Sequence, residues 1–373
     1  MSSGIKHQRT EVFTLRLLDK YIIKEYLRFF IITSISFIAL YLIVDFFEKI
    51  RMFLSNNASV SSMVAYFLFS IPMIISLMLP AAVLLATLMT FSSLSKFSEI
   101  IAMKANGVSL YRLSAPIFIF VAAVTVALFY FSELITPSSI AKAERIVIVD
   151  VQKQKVFGSF KQNELWYHGD NAIYNFKIFD VTNDTLRGIV INYINPDFTL
   201  QKRIDAERAE WKNGRWVFYN LLSTTFDNTN TPVLEWSKEK IIPLPEKPTD
   251  FKVMQKDAEK MGYFDLRKYV RKIQAEGYDA TRYVVDLHGK LAFPLVTMIL
   301  VLIGIAFSTR SERQGGVMQS VGIGIIIGFS YWIVHAFSMS LGRSGILPAI
   351  LSAWIANIIF FVVGATLFFR TRT

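Results

Sequence analysis

Long apolar blocks without charged residues stand near both ends of the chain. Six of them are long enough to cross a bilayer, because a helix rises about 1.5 Å per residue and the hydrocarbon core is about 30 Å thick. The six blocks cover residues 26–47, 63–94, 113–135, 290–308, 317–341 and 346–369. The pattern predicts an α-helical membrane protein with six transmembrane helices in two groups of three.

The second block is unusual in length. It carries no charge from Ser61 to Ser95, which exceeds one crossing but is too short for two crossings with a turn. We therefore predict one long helix that is tilted or kinked at Pro72 and Pro80.

Between the third and fourth blocks, short runs rich in β-branched and aromatic residues alternate with turn residues. Asn213-Gly214 between Trp211 and Trp216 indicates a tight hairpin, since both turn residues tolerate a positive φ. Short strands at this spacing favour an antiparallel sandwich or jelly roll, so we predict a β-jellyroll-like domain. Arg203–Trp211 also fits a helix, and only its position favours a strand.

These changes of pattern divide the chain into three parts. We predict an N-terminal transmembrane half at 1–135, a β-domain at 136–262, and a C-terminal part at 263–373. The last part begins with Tyr263–Gly277, where Leu266, Tyr269, Val270 and Ile273 recur at helical spacing. This amphipathic helix is expected to lie along the outer membrane surface and lead into the fourth span.

Composition and charge narrow the class of protein. The 373 residues are 53% apolar and include no cysteine, which excludes disulfides and thiolate metal sites. The net charge of +11 could indicate a nucleic-acid partner. However, the cations cluster at the ends of the apolar blocks and do not form one basic face, so we expect no nucleic acid.

The flanking cations also predict orientation. Lysine and arginine are frequent before the first span, between the second and third, between the fourth and fifth, and after the sixth, but sparse in the opposite connections. By the positive-inside rule, both termini are expected to be cytoplasmic and the middle domain to face outward. We found no cleavable signal, so the first block is expected to be a permanent span.

The sequence contains no P-loop, HExxH or GxSxG motif and no paired histidines at ligand spacing. We therefore expect neither an enzyme nor a bound cofactor. His335 falls within the fifth span, where a polar side chain must face a protein interior or a cavity. A helix–helix hydrogen bond is favoured there over a proton relay.

Two short segments are candidates for function. The first is a predicted amphipathic helix at about 95–107, in which Glu99 precedes Ile100 and Met103 and Gly107 supplies the stop. It is either a docking element for a cytosolic partner or a simple connection between two spans.

The second candidate segment lies where the first span ends. Spacings of four and three place Asp45 near Lys49 and Glu48 near Arg51 on the helix surface. Interfacial anchoring with local ion pairs explains this cluster. Binding of an anionic headgroup by the two cations is the functional alternative.

Several motifs resemble one family over nearly the whole chain, the lipopolysaccharide-export permeases of the LptF/LptG type. The similar segments are Leu18-Asp19-Lys20-Tyr21-Ile22, Ser98-Glu99 through Ala105-Asn106-Gly107, Gln162-Asn163-Glu164-Leu165-Trp166, Tyr269-Val270, Gly277, Asp279-Ala280, Arg282-Tyr283 and Lys290. The details favour the LptG-type subunit over its LptF-type sibling.

The resemblance implies a transporter built from several proteins. Such a subunit pairs with an LptF-type sibling around a cavity that takes lipopolysaccharide from the outer leaflet of the bacterial inner membrane. A dimer of LptB-type ATPases supplies energy from ATP and Mg²⁺. The lipid then passes through the β-domains to an LptC-type single-span β-jellyroll protein and a periplasmic bridge.

The resemblance also implies roles for particular residues. Glu99, Ile100 and Met103 correspond to ATPase contacts, on a helix ended by Gly107. Arg51 corresponds to a basic residue near the lipid phosphates. Asp45 stands where some relatives have lysine, so phosphate binding is expected to rest on Lys49, Arg51 and the sibling subunit.

Other readings of the sequence predict different partners. The chain could be the LptF-type sibling, or a membrane-tethered receptor or scaffold with a β-sandwich ectodomain. A membrane-anchored periplasmic enzyme is the third possibility, but no acid–base or nucleophile constellation supports it. Co-purification with an ATPase separates the transporter from the receptor.

Overall fold

The computed structural model describes the chain in two compact units. The helical unit combines Met1–Val151 with Ala258–Thr373, and the β unit is Gln152–Asp257. The residues described are 2–153, 158–161, 164–168, 172–180, 184–195, 199–226, 232–244, 248, 258–275, 279–310 and 317–370.

The helical unit contains both membrane halves. Its helices are α1 (Ser2–Ser55), α2 (Val60–Lys96), α3 (Glu99–Ala105), α4 (Leu110–Leu134), α5 (Thr136–Arg145), α6 (Tyr263–Ala275), α7 (Thr281–Arg310), α8 (Val317–Arg343) and α9 (Ala349–Arg370). Six of the helices in the described residues, namely α1, α2, α4, α7, α8 and α9, are long and apolar enough to span a membrane. The predicted 3+3 arrangement is confirmed.

The second span is one continuous helix. Pro72 and Pro80 both lie inside α2, which begins after the capping residue Ser59. The Ser59 hydroxyl accepts a hydrogen bond from the Ser62 backbone N–H at 3.1 Å, which satisfies one free donor of the first turn. The prediction of a single long helix here is therefore confirmed.

Interhelical hydrogen bonds join the two membrane halves. The hydroxyls of Thr125 in α4 and Thr297 in α7 lie 2.5 Å apart. Within the C-terminal half, the Tyr331 hydroxyl of α8 donates to the Asn357 side chain of α9 at 2.8 Å, and Asn357 donates to the Ala292 carbonyl of α7 at 2.7 Å. Because lipid offers no hydrophobic drive between helices, such bonds and close packing hold a membrane bundle together.

The helical unit extends past residue 135, where we predicted that the β-domain begins. Pro137 stands in the first turn of α5, a position that suits its fixed φ and missing N–H. The helix continues as a π-helix, Ile146–Val151. Val151 packs with Phe53 and Tyr66 in one apolar cluster, which ties this segment to α1 and α2.

The β unit contains a seven-stranded antiparallel sheet, which matches the predicted β-jellyroll-like domain. The strands are β1 (Gly158–Lys161), β2 (Glu164–His168), β3 (Ala172–Asp180), β4 (Thr185–Ile194), β5 (Leu200–Lys212), β6 (Arg215–Phe226) and β7 (Pro232–Ile241). They pair in sequential order from β1 to β7. The stretch Arg203–Trp211, which the sequence left ambiguous, belongs to strand β5.

The interior of the β unit is apolar. Its core combines alternate residues of several strands, including Phe176, Ile191, Trp216 and Phe218. Asn213 and Gly214 have φ values of 51° and 78°, as the predicted tight hairpin between β5 and β6 requires. Sheet register therefore follows from the alternation of apolar residues and from this turn.

Helix α6 is amphipathic, as predicted, and buries Leu266, Tyr269, Val270 and Ile273. Gly277, its predicted last residue, lies outside the described residues. Just before α7, the Asp279 carboxylate accepts hydrogen bonds from the Thr281 backbone N–H at 2.8 Å and hydroxyl at 2.6 Å. These bonds favour the charged form and hold the pKa of Asp279 below its ordinary value.

Candidate functional site

The helical unit has two distinct ends. We call the end that holds α3 and residues 17–21 the terminal end, because Phe368 near the end of α9 also contacts Tyr111 there, with ring centroids 5.1 Å apart. We call the opposite end, where Val151 and Ala258 lie, the domain end. The predicted ATPase-coupling residues are at the terminal end, and Asp45, Lys49 and Arg51 are towards the domain end.

Helix α3 is fastened to the terminal end by its own apolar residues. Ile100 is 0% exposed and belongs to a core cluster, against which Met103 also packs. Gly107 has a φ of +83° and ends the helix, as predicted. The Val108 N–H bonds to the Met103 carbonyl at 3.1 Å, and the Gly107 N–H bonds to the Lys104 carbonyl at 2.9 Å. A helix end of this kind favours glycine, because the residue there adopts a left-handed conformation.

Polar contacts from α1 fix the same helix. The Tyr21 hydroxyl donates to the Glu99 carboxylate at 2.8 Å, a contact that the sequence analysis did not foresee. Arg112, at the start of α4, makes two hydrogen bonds of 2.7 Å to the Asp19 carboxylate. A bidentate pair of this kind adds geometric specificity as well as energy. Tyr21 therefore holds Glu99 to α1, and the Asp19–Arg112 pair holds α1 to the start of α4.

The buried position of Ile100 corrects its predicted role as an ATPase contact. Ile100 and Met103, three residues apart, lie on the face of α3 that packs into the bundle. The exposed apolar side chains are Phe97, at 66% exposed, and Ile101, at 56%. Phe97 precedes α3 and is separated from it by Ser98, whose φ of 57° interrupts the helix, so helical spacing in the sequence could not have paired it with Ile101. Any protein that docks here meets Phe97 and Ile101.

Towards the domain end of α1, one predicted ion pair is present. The Lys49 ammonium lies 2.9 Å from the buried Asp45 carboxylate, as the spacing of four predicted. It also lies 5.3 Å from the centre of the Tyr66 ring, a cation–π distance. The charge of Lys49 is thus already partnered within the chain, which makes it a weaker ligand for an external anion than the sequence suggested.

Arg51 is placed differently. Its side chain is exposed, and no carboxylate of the described residues, Glu48 included, lies within 4 Å of it. An exposed guanidinium without an internal partner can form bidentate hydrogen bonds with phosphate oxygens. Arg51 is therefore better suited than Lys49 to meet an anion at this end of α1.

His335 lies in α8 and is 9% exposed. Its ring stacks on Tyr331, with centroids 5.7 Å apart, and contacts Phe293 at 6.1 Å. Its Nδ1 atom is buried and has no hydrogen-bond partner among the described residues. Nδ1 therefore does not make the predicted helix–helix hydrogen bond with any described residue. The side chain instead lines a cavity of about 290 Å³ inside the helical unit.

The β unit contains a second cavity, of about 400 Å³. Tyr193, Ile204 and Leu221 line it together with Lys202 and Lys240. Apolar walls with two cations suit an amphiphile that carries negative charge. Sequence analysis could not identify this site, because its residues come from separate strands and share no local pattern. Among the described residues, no group of three or more acidic or histidine side chains is placed to hold a metal ion.

Comparison with known proteins decides the family. The family described as "Lipopolysaccharide export system permease LptF/LptG" matches residues 20–370. The chain belongs to this family. The match covers all six spans and the β unit, and it confirms the resemblance drawn from the sequence motifs.

Two curated relatives support the assignment to the LptF/LptG permeases. Lipopolysaccharide export system permease protein LptG of Escherichia coli strain K12 is 22% identical over 367 residues, which are 95% of this chain and 98% of that protein. The protein of the same name from Haemophilus influenzae is 24% identical over 379 residues, covering 95% and 99%. This multi-pass membrane chain is thus similar to permeases of lipopolysaccharide export, which are transporter components and not enzymes.

Proposed function

We propose that this chain is the LptG-type subunit of an ABC transporter that lifts lipopolysaccharide out of the inner membrane with energy from a separate cytosolic ATPase. The observation that carries the proposal is the construction of α3. Ile100 and the Tyr21–Glu99 hydrogen bond fasten the helix to the bundle, while Phe97 and Ile101 remain exposed. A partner that moves this surface moves α1 and α4 as well.

The position of charges supports the proposed orientation. The terminal end carries the lysine- and arginine-rich flanks, which by the positive-inside rule places it in the cytoplasm. The β unit then lies in the periplasm. An ATPase dimer of the LptB type would dock on α3, and it would use the ATP and Mg²⁺, so this chain needs no cofactor of its own.

Extraction of lipid requires an apolar path. Exposure of an acyl chain to water costs about 0.8 kcal/mol per CH₂, so several chains would cost tens of kcal/mol. Helices α1 and α8 expose apolar side chains, including Ile35 and Val44 on α1 and Ile326 and Phe329 on α8. Facing the same elements of an LptF-type sibling, they would form the walls of a cavity open to the membrane.

The lipid phosphates would meet Arg51 at the domain end of α1. Lys49 is already paired with Asp45 and would therefore bind a phosphate only weakly. The sibling would supply further cations. Asp45 therefore acts as a partner for Lys49 and not as a lipid ligand.

Beyond the membrane, the cavity of the β unit would receive the lipid. Its apolar walls replace the bilayer for an acyl chain, and Lys202 offers a cation for acidic groups, whereas Lys240 lies 3.7 Å from the Glu235 carboxylate. From there the lipid would pass to an LptC-type protein and a periplasmic bridge. Exposed apolar residues of strand β7, such as Val233 and Trp236, support contact with a neighbouring protein.

Transport in proteoliposomes tests the proposal. The assembled complex with Glu99→Ala should release lipopolysaccharide several-fold more slowly, because Tyr21 loses its acceptor. Glu99→Lys should reduce release further, since it also reverses the charge. Glu207→Lys, at an exposed carboxylate of strand β5 that does not line the cavity of the β unit, is the matched control. Undiminished release with both Glu99 variants would remove α3 from the mechanism.

A further inference from the structure

Helix α6 presents a basic surface that points away from the helical unit. Its four apolar residues named above are buried, so the opposite side of the helix is the exposed one. Phe264, Arg267, Lys268 and Arg271 are all exposed. They are related by spacings of three and four residues, which places them on one face of the helix. We call Arg267, Lys268 and Arg271 the α6 basic patch.

The charges of the α6 basic patch are not balanced by acidic side chains. Among the described residues, no carboxylate lies within 4 Å of these three cations, and they make no hydrogen bonds. With Lys272 the helix carries four cations against one carboxylate, that of Asp265, which gives a net charge of +3. A surface of this kind attracts an anionic partner.

Contacts with two spans fix the place of α6 at the domain end. Glu133, one residue before the end of α4, accepts the backbone N–H groups of Tyr263 and, at 3.2 Å, of Phe264. The ring of Tyr269 lies 5.0 Å from that of Tyr283, in the first turn of α7. Because α4 and α7 are both spans, α6 lies against the ends of two membrane helices and does not extend away from them.

Exposed apolar side chains mark the lipid boundary next to the start of α6. Leu134, the last residue of α4, and Tyr130, one turn earlier, are both exposed. On a span such side chains face lipid, and tyrosine is typical of the headgroup level. The exposed Phe264 ring lies 5.4 Å from the ring of Tyr263, which is held against the end of α4. The α6 basic patch begins one turn later, close to the headgroup layer.

We propose that the α6 basic patch binds the phosphate headgroups of anionic phospholipids in the surrounding membrane. Guanidinium and ammonium groups form charge-assisted hydrogen bonds with phosphate oxygens, and cations on a helix at the interface are attracted to anionic lipids. Neither of the two cavities described above includes a residue of the patch. A row of cations on an exposed helix therefore suits several small headgroups side by side and does not form a pocket for one large lipid.

The consequence for the fold is a fixed depth in the membrane. Bound headgroups would hold α6, and through its contacts the ends of α4 and α7, at the level of the phosphates. This inference goes beyond the proposed function and rests on it only for the leaflet, which is the outer one.

Quenching by spin-labelled lipids tests the proposal on the full chain in nanodiscs. A fluorophore is attached to Ala275→Cys, at an exposed position one turn beyond Arg271 in a chain without other cysteines. Phosphatidylglycerol with a spin label high on its acyl chain should associate about fivefold more strongly than equally labelled phosphatidylcholine, as expected if each headgroup meets one cation. Salt at about 0.5 M should reduce this preference, because it screens exposed charges.

Charge variants locate the effect. Replacement of all three cations of the α6 basic patch by glutamine should abolish the preference for phosphatidylglycerol. The matched control removes three exposed cations of the β unit, with the substitutions Lys177→Gln, Arg215→Gln and Lys238→Gln. The control should keep the fivefold preference. Its loss there, or its survival in the α6 variant, would overturn the proposal.

Competing anions identify the ligand. Unlabelled phosphatidylglycerol should relieve the quenching, and lipopolysaccharide of equal phosphate content should relieve it no better. Stronger relief by lipopolysaccharide would assign the patch to that lipid, and relief by millimolar inorganic phosphate would assign it to a free anion. Either result overturns the proposal, as does equal quenching by the two phospholipids on the unaltered patch, a comparison that needs no charge variant to fold. Failure here leaves the proposed transport function standing, because the test involves neither the ATPase nor transport.

Discussion

At the residue scale, the buried carboxylate of Asp286 depends on the guanidinium of Arg343. We predict that Arg343→Ala lowers the free energy of unfolding by about 2 kcal/mol, somewhat less than for a fully buried pair because Arg343 is partly exposed. The loss arises because Asp286 stays charged and buried without its partner.

Thermal unfolding of the chain in detergent measures this effect. Asp286→Asn combined with Arg343→Ala should unfold at a higher temperature than Arg343→Ala alone, since the double variant buries no uncompensated charge. Equal unfolding temperatures for the single and double variants would contradict this account of the pair.

Spacing along a helix predicted some contacts between residues but not others. Asp45 and Lys49 do pair, because a spacing of four on one helix is sufficient to bring them together. Glu48 and Arg51 do not, although the helix permits the contact. The ring contacts of His335 were not predictable, because Phe293 comes from another helix. Local geometry decides the first kind of contact, and tertiary packing decides the last.

At the element scale, the two faces of α3 have separate roles. The same substitution at adjacent positions distinguishes them. Ile100→Ala should lower the free energy of unfolding by about 2–4 kcal/mol, since it leaves a cavity in the core. Ile101→Ala should leave stability nearly unchanged and reduce the recovery of the partner ATPase, because it removes an exposed apolar contact.

Thermal unfolding and co-purification with the ATPase report these two effects independently. Phe97→Ala should resemble Ile101→Ala in both measurements. If Ile101→Ala retains full ATPase recovery while Ile100→Ala loses it without loss of stability, the assignment of the faces is reversed.

The apolar blocks predicted all six spans, because a bilayer demands about 20 apolar residues in succession. Helix α5 was missed, since Thr136–Arg145 is short and mostly polar, and its packing against α1 and α2, for example through Ala143, involves residues that are distant in the sequence. The strand at Arg203–Trp211 could not be settled locally either. Its pairing with β4 and β6 determines its conformation.

At the scale of the whole molecule, orientation follows from the distribution of charge. The absence of cysteine allows a direct test, since any introduced thiol is unique. We predict that Lys238→Cys, on the exposed strand β7, reacts with a membrane-impermeant maleimide in cells with a permeabilised outer membrane. Ala105→Cys, on the exposed side of α3, should react only after the inner membrane is opened.

Labelling of both positions in intact inner membranes would show that the membrane lets the reagent through. A third variant checks the result for α3. Asn106→Cys, adjacent on the exposed end of α3, must behave as Ala105→Cys does. Labelling of Ala105→Cys but not Lys238→Cys before lysis would place the β unit in the cytoplasm and overturn the proposed orientation.

Passage of lipid from the membrane to the β unit is the central claim, and site-specific photocrosslinking tests it most directly. A photoreactive residue is placed at Arg51, at Tyr193 in the cavity of the β unit, or at the outward-facing Lys177 as a control. In the complete complex, we expect lipopolysaccharide adducts at Arg51 without ATP, at Tyr193 only with ATP, and none at Lys177. Absence of adducts at both Arg51 and Tyr193, or adducts at Tyr193 that do not depend on ATP, would contradict the account.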